Sequence, residues 1–146
     1  MKIIDDSKIY LIAAVTTLAV AVILGSIAFY SILSVEPRIE TLLNASDNIS
    51  VNYKKAYLML RDPQVFAGYG YFDAEGVSVK NSLAFFDKRV YNGEEIDATR
   101  KAYLELLLDR RKKGSVLTRN TMAFFLILSI VFWAVFIQER RSSGKV

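Results

Sequence analysis

Apolar and polar positions divide this chain into five blocks. Ile9 to Val35 carries no charged residue, and neither does Asn120 to Gln138. At a helical rise of 1.5 Å per residue these stretches reach about 40 Å and about 28 Å. A bilayer's hydrocarbon core is roughly 30 Å thick. The second stretch matches it, and the first must tilt or emerge from it. The pattern predicts an all-α membrane protein, with two transmembrane helices flanking a small three-helix extramembrane domain. The blocks are an N-terminal tail (1–8), the first span (9–34), a helical domain (35–115), the second span (116–138) and a basic tail (139–146).

The period changes in the middle block. Ile39, Leu42, Ser46, Ile49, Tyr53, Ala56 and Leu60 recur at alternating steps of three and four, a heptad seam. They predict one helix from Pro37 to Arg61, whose seam is Ile39, Leu42, Ile49, Tyr53 and Leu60. Pro63 ends it by biasing Asp62 away from helix. Glycines then interrupt an aromatic stretch in which Tyr69, Tyr71 and Phe72 are candidates for a recognition loop. Asp73 and Glu75 beside it fit a turn better than an acid–base pair. A second helix is expected over Val77–Tyr91, with Val79, Leu83, Phe86 and Val90 on one face and Asn92-Gly93 as its stop. A third is expected from Glu94. Acidic Glu94, Glu95 and Asp97 suit its start, and Arg110 to Lys113 suit its end. Ile96, Tyr103, Leu106 and Leu107 would be its buried stripe, and Gly114-Ser115 a cap or hinge.

A cleavable signal peptide is the competing reading of the first stretch. The stretch is longer than a signal's apolar region, and Asp5 and Asp6 occupy what would be its positive leader. A retained anchor is therefore expected. The span also carries small residues every four positions at Ala13, Thr17, Ala21 and Gly25, a spacing that lets helix backbones approach closely. The second span is aromatic, with Phe124, Phe125, Phe132, Trp133 and Phe136 suited to lipid contact. Neither span has an ionisable residue at its centre, where a proton relay or ion pathway places one.

Composition narrows the chemistry. The chain has no Cys and no His, which excludes disulfides, Cys/His zinc sites and Cys–His catalysis within it. Phosphate-loop, dinucleotide and nucleophile-elbow motifs are absent from the sequence. No catalytic residue, metal ligand or cofactor is expected, and an enzyme is the reading with least support. The net charge is +4, but the middle block is nearly neutral. The excess lies at the span ends, in Arg110, Arg111, Lys112, Lys113, Arg119, Arg140 and Arg141, and these are expected to meet lipid headgroups. No basic patch stands apart from the spans, so nucleic acid is not an expected partner.

The basic residues flanking the first span place both termini in the cytoplasm of a cell-membrane protein, although the second span does not add to that vote. Two N-glycosylation sequons, at Asn44 and Asn48, agree with an outside domain. The functional expectation is a non-catalytic accessory or assembly subunit of a larger integral-membrane complex. Its partners would be other membrane subunits or copies of itself, together with phospholipids. Two alternatives belong to other classes: a sensory or signalling module with a helical extracytoplasmic domain, and a self-assembling small pore-forming protein. The span–domain–span order of the first is like that of the sensing half of bacterial chemoreceptors.

Overall fold

The computed structural model describes residues 6–61 and 74–143, and side chains over 7–61 and 80–142. Among the described residues every regular element is helical. In chain order they are α1 (Asp6–Tyr30), a π turn (Ser31–Val35), α2 (Glu36–Asn44), α3 (Ile49–Arg61), α4 (Ala74–Tyr91), a 3-10 turn (Ala98–Arg100) and α5 (Lys101–Ser143). Two helical runs, within Ser7–Asn44 and Ala98–Ser142, are long and apolar enough to cross a membrane. Two compact units result, one of Met1–Ser26 with Thr118–Val146 and one of Ile27–Leu117. The second unit therefore begins inside the first uncharged stretch.

In the first unit, α1 and α5 pack antiparallel through small residues. Ala14 and Ala21 are buried, and so are Leu24 and Gly25. Ser129 Oγ donates to the Ala14 carbonyl at 2.9 Å, both groups being buried. A Cβ added at Gly25 would lie 2.9 Å from Met122 Sδ, so any larger residue there must displace that thioether.

The second unit closes around Val35, Ile39, Leu43, Tyr53, Ala56, Tyr57, Phe86, Ile96, Leu104, Leu107 and Leu108. The expected Pro37–Arg61 helix is broken in two. Ala45 leaves α2 in extended backbone, and Asn48 enters α3 with φ +49°, a left-handed conformation that Asn tolerates better than most residues. The seam residues still share the core: Ile39 and Tyr53 are buried, with Leu42, Ile49 and Leu60 packed against them. Tyr57 fastens α3 to α4. Its hydroxyl donates to Asp87 Oδ1 at 2.6 Å, and its ring lies 5.1 Å from that of Phe86. Arg61 Nε reaches the same carboxylate oxygen at 3.2 Å.

The α4 stop matches its sequence signal. Gly93 has φ +70°, the Glu94 N–H donates to the Arg89 carbonyl at 2.9 Å, and the Gly93 N–H donates to that of Val90 at 3.2 Å. The third expected helix begins later than Glu94. Ile96 is instead held by donating its N–H to Ser50 Oγ at 3.1 Å, and Asp97 caps the 3-10 turn through the Thr99 N–H at 2.9 Å. Of the expected stripe, Ile96 and Leu107 are buried and are joined by Leu104 and Leu108, while Leu106 is half-buried and Tyr103 is 46% exposed. Gly114-Ser115 is neither cap nor hinge, because α5 runs through it.

Candidate functional site

The inward face of α5 continues at helical spacing from Leu104, Leu107 and Leu108 to Arg111 and Ser115. Arg111 is only 6% exposed. Its Nη1 donates to the Met59 carbonyl at 2.9 Å, and its Nε donates to Ser31 Oγ at 3.3 Å. Ser115 Oγ donates to the same Ser31 oxygen at 2.9 Å, and Ser31 in turn donates to Glu36 Oε1 at 3.1 Å. A serine hydroxyl has one proton and two lone pairs. Ser31 uses all three, tying the π turn to Glu36 of α2 and to α5, and Arg111 carries the link on to the end of α3.

The π turn makes this possible. Ser31 and Glu36 are five residues apart, which on an α-helix would set them about 140° apart around the axis. In the π turn the Glu36 N–H bonds to the Ser31 carbonyl, which stacks the two residues on one face. Pro37 follows immediately within α2. It lacks an N–H and crowds the carbonyl four residues back, which favours a changed hydrogen-bond register at this point.

The basic residues expected at lipid headgroups therefore take different places. Arg111 points into the core, against that expectation, because its helical phase follows Leu104 and Leu107 rather than its charge. Lys112 pairs with Glu40, and that hydrogen bond raises the ammonium above its ordinary range. Lys113 pairs with Asp109 at 2.9 Å on the exposed side of α5. Arg110 is half-buried, and Arg119, Arg140 and Arg141 are exposed.

The packing stripe is shifted at its start. Ala14 rather than Ala13 is buried, and Thr17 returns its hydroxyl to the Ala13 carbonyl of its own helix at 2.8 Å. Tyr69, Tyr71 and Phe72 lie outside the described residues, as does Asp73. Both sequon asparagines are exposed. Asn44 accepts a hydrogen bond from Lys101 Nζ at 2.9 Å, and the sequon hydroxyl of Ser50 holds the Ile96 N–H.

Sequence reasoning missed a cleft of about 370 Å³ between α4 and the start of α5, lined by Asn81, Ser82, Phe85, Arg100 and Tyr103. Phe85 carries two guanidinium groups, Arg89 at 5.1 Å and Arg100 at 4.8 Å from its centroid. The first signal was readable, since Phe85 and Arg89 are four residues apart on a helix. The second was not, because Arg100 belongs to a different segment. A smaller hollow of about 270 Å³ involves Glu40, Asn44, Glu105, Asp109 and Lys112, and the Lys112–Glu40 pair lies among its lining groups.

No known protein family matches this chain, and no curated protein or solved structure is detectably similar to it.

Proposed function

We propose that this chain is a non-catalytic accessory or assembly subunit of a larger integral-membrane complex. Its two apolar helices would lie in the bilayer of the cell membrane, with both termini in the cytoplasm and the helical unit outside. The observation that supports this reading is the apolar surface left over after α1 and α5 have packed. Val22 and Ile23 on α1, and Ile127 and Ile130 on α5, are each at least 60% exposed. In water such faces would be a liability. In a bilayer they suit lipid and neighbouring spans, where small-residue and apolar packing associates helices.

Native mass spectrometry of complexes extracted from the source membranes tests the assembly role, with other subunits or repeated copies of the chain as the expected masses. A discrete, stable monomer would overturn it. Because the sequence has no cysteine, single cysteines introduced at Ile127 or Ile130 report on that face without background. They should crosslink to a partner span. Protection of the 35–115 segment from cytoplasmic-side protease checks the orientation.

A further inference from the structure

The cleft at Phe85 goes beyond an assembly role. Its two arginines share one aromatic ring and both act on the exposed Asp97 carboxylate, but among the described residues only Arg89 has a carboxylate within ion-pair distance. Arg89 is neutralised, with Nε 3.2 Å from Glu94 Oε2 and Nη1 donating to the Glu95 carbonyl at 3.0 Å. Arg100 lies 4.8 Å from the Phe85 centroid and 5.9 Å from that of Tyr103. Its Nε is buried and has no hydrogen-bond partner among the described residues. Aromatic stacking orients a guanidinium but leaves its N–H fork unsatisfied. A buried donor without a partner is costly, and more so when charged. The same cleft holds the buried Ser82 and the exposed Asn81 on α4. Its volume falls within the range of small-molecule sites.

We propose that this cleft binds a small organic carboxylate with an apolar or aromatic body. The carboxylate would take the fork of Arg100, which matches its planar, two-oxygen geometry. The Phe85 and Tyr103 rings would cover the apolar body, and the Ser82 hydroxyl and Asn81 amide supply further polar contacts. The cleft stands about 20 Å along α5 from Ser115, at 1.5 Å per residue. It is thus separate from the Ser31–Arg111 node.

The test uses the full chain in detergent, with phenylacetate as probe and phenylacetamide as its uncharged counterpart. Binding is read by calorimetry and by thermal shift. Phenylacetate should bind saturably and raise the melting temperature. Phenylacetamide should bind about tenfold more weakly or worse, as expected for loss of one charge-assisted hydrogen bond. Arg100→Gln should lose the same factor, and Lys113→Gln should lose nothing. Equal binding of acid and amide would overturn the proposal, as would undiminished binding by Arg100→Gln. Saturable binding of inorganic phosphate in place of phenylacetate would overturn the carboxylate assignment. The acid–amide comparison needs only the wild-type chain, so the proposal stays testable should Arg100→Gln misfold.

Discussion

Arg111→Met replaces the interior guanidinium with an apolar side chain of similar length. The change deletes the donor to the Met59 carbonyl and one of two donors to Ser31. It also leaves Glu36, only 7% exposed, tied to a serine that has lost its cationic partner. A hydrogen bond to a charged group contributes about 1.5–3 kcal/mol, and an orphaned buried partner adds a further 1–3 kcal/mol or so. Breaking a buried ionic arrangement from one side costs about 3–5 kcal/mol in measured cases, and that is the magnitude expected here. For a unit the size of Ile27–Leu117 this is a melting shift of roughly 15–25 °C, from an unfolding entropy of about 2.1 cal/mol/K per residue.

The assay is thermal unfolding of the full chain in detergent, followed by far-ultraviolet circular dichroism. Lys113→Met is the control. It removes a neighbouring charge whose partner Asp109 is exposed, so its cost should be no more than about 0.5 kcal/mol. Ser31→Ala combined with Arg111→Met should cost less than the two single changes added together, because both act on one network. Arg111→Met within about 1 kcal/mol of Lys113→Met would refute the interior assignment of Arg111, since ordinary surface substitutions fall in that range.

Gly25→Ala should change stability by less than about 1 kcal/mol, because its new methyl meets the movable thioether of Met122. Gly25→Leu should separate α1 from α5, seen as a loss of crosslinking between cysteines placed at positions 14 and 129. At the α2–α3 break, Asn48→Gly should be tolerated, whereas Asn48→Val should cost about 1–2 kcal/mol in a denaturant melt, since β-branched residues resist positive φ. Deleting the exposed Leu33 should convert the π turn into regular helix and keep Ser31 over Glu36, now four residues apart. Deleting Leu42 should instead disrupt the core, and equal melting temperatures for the two deletions would contradict that register argument. Stability should fall above about pH 10. Burial and the bond to Asp87 push the Tyr57 phenol up from 10.0, and the bond to Glu40 pushes Lys112 up from 10.5. The unfolded chain therefore releases these protons first, so their stabilisation is complete below those ordinary values and is lost as pH rises toward the folded ones. A Tyr57→Phe melt that declines as steeply as wild type between about pH 8 and pH 11 would remove the phenol from that account.

Much of the architecture was legible because it rests on long periods. Two uncharged stretches and a heptad seam are signals repeated many times, and both survive as helices and core. The misreadings came from single residues. Nothing in the run from Ile39 to Leu60 interrupts its period, yet Asn48 adopts positive φ and splits it. Glu94, Glu95 and Asp97 have the composition of a helix start, but Ser50 captures the Ile96 N–H from outside the segment. That bond joins residues 46 positions apart, and no local propensity encodes it. The cleft was illegible for the same reason. Its wall comes from α4 and its charge from the 3-10 turn beyond Gly93.

Arg111 shows why charge and phase must be read together. The run Arg110-Arg111-Lys112-Lys113 reads as one anchor if only its composition counts. On a helix, successive residues point about 100° apart, so four neighbours cannot share one environment. One must follow the apolar face set by Leu104, Leu107 and Leu108, and Arg111 is that one. Sequence alone leaves its partners unspecified, because they come from the π turn and from the carbonyl of Met59. Removing Arg111 alone is costly because it strands its partners, but replacing the whole buried polar set with apolar side chains of the same shape would change net stability little. What the polar set adds is selectivity of register. Leucine seams tolerate a rotated or slipped helix, whereas Ser31 can satisfy Arg111, Ser115 and Glu36 together only at one phase of α5.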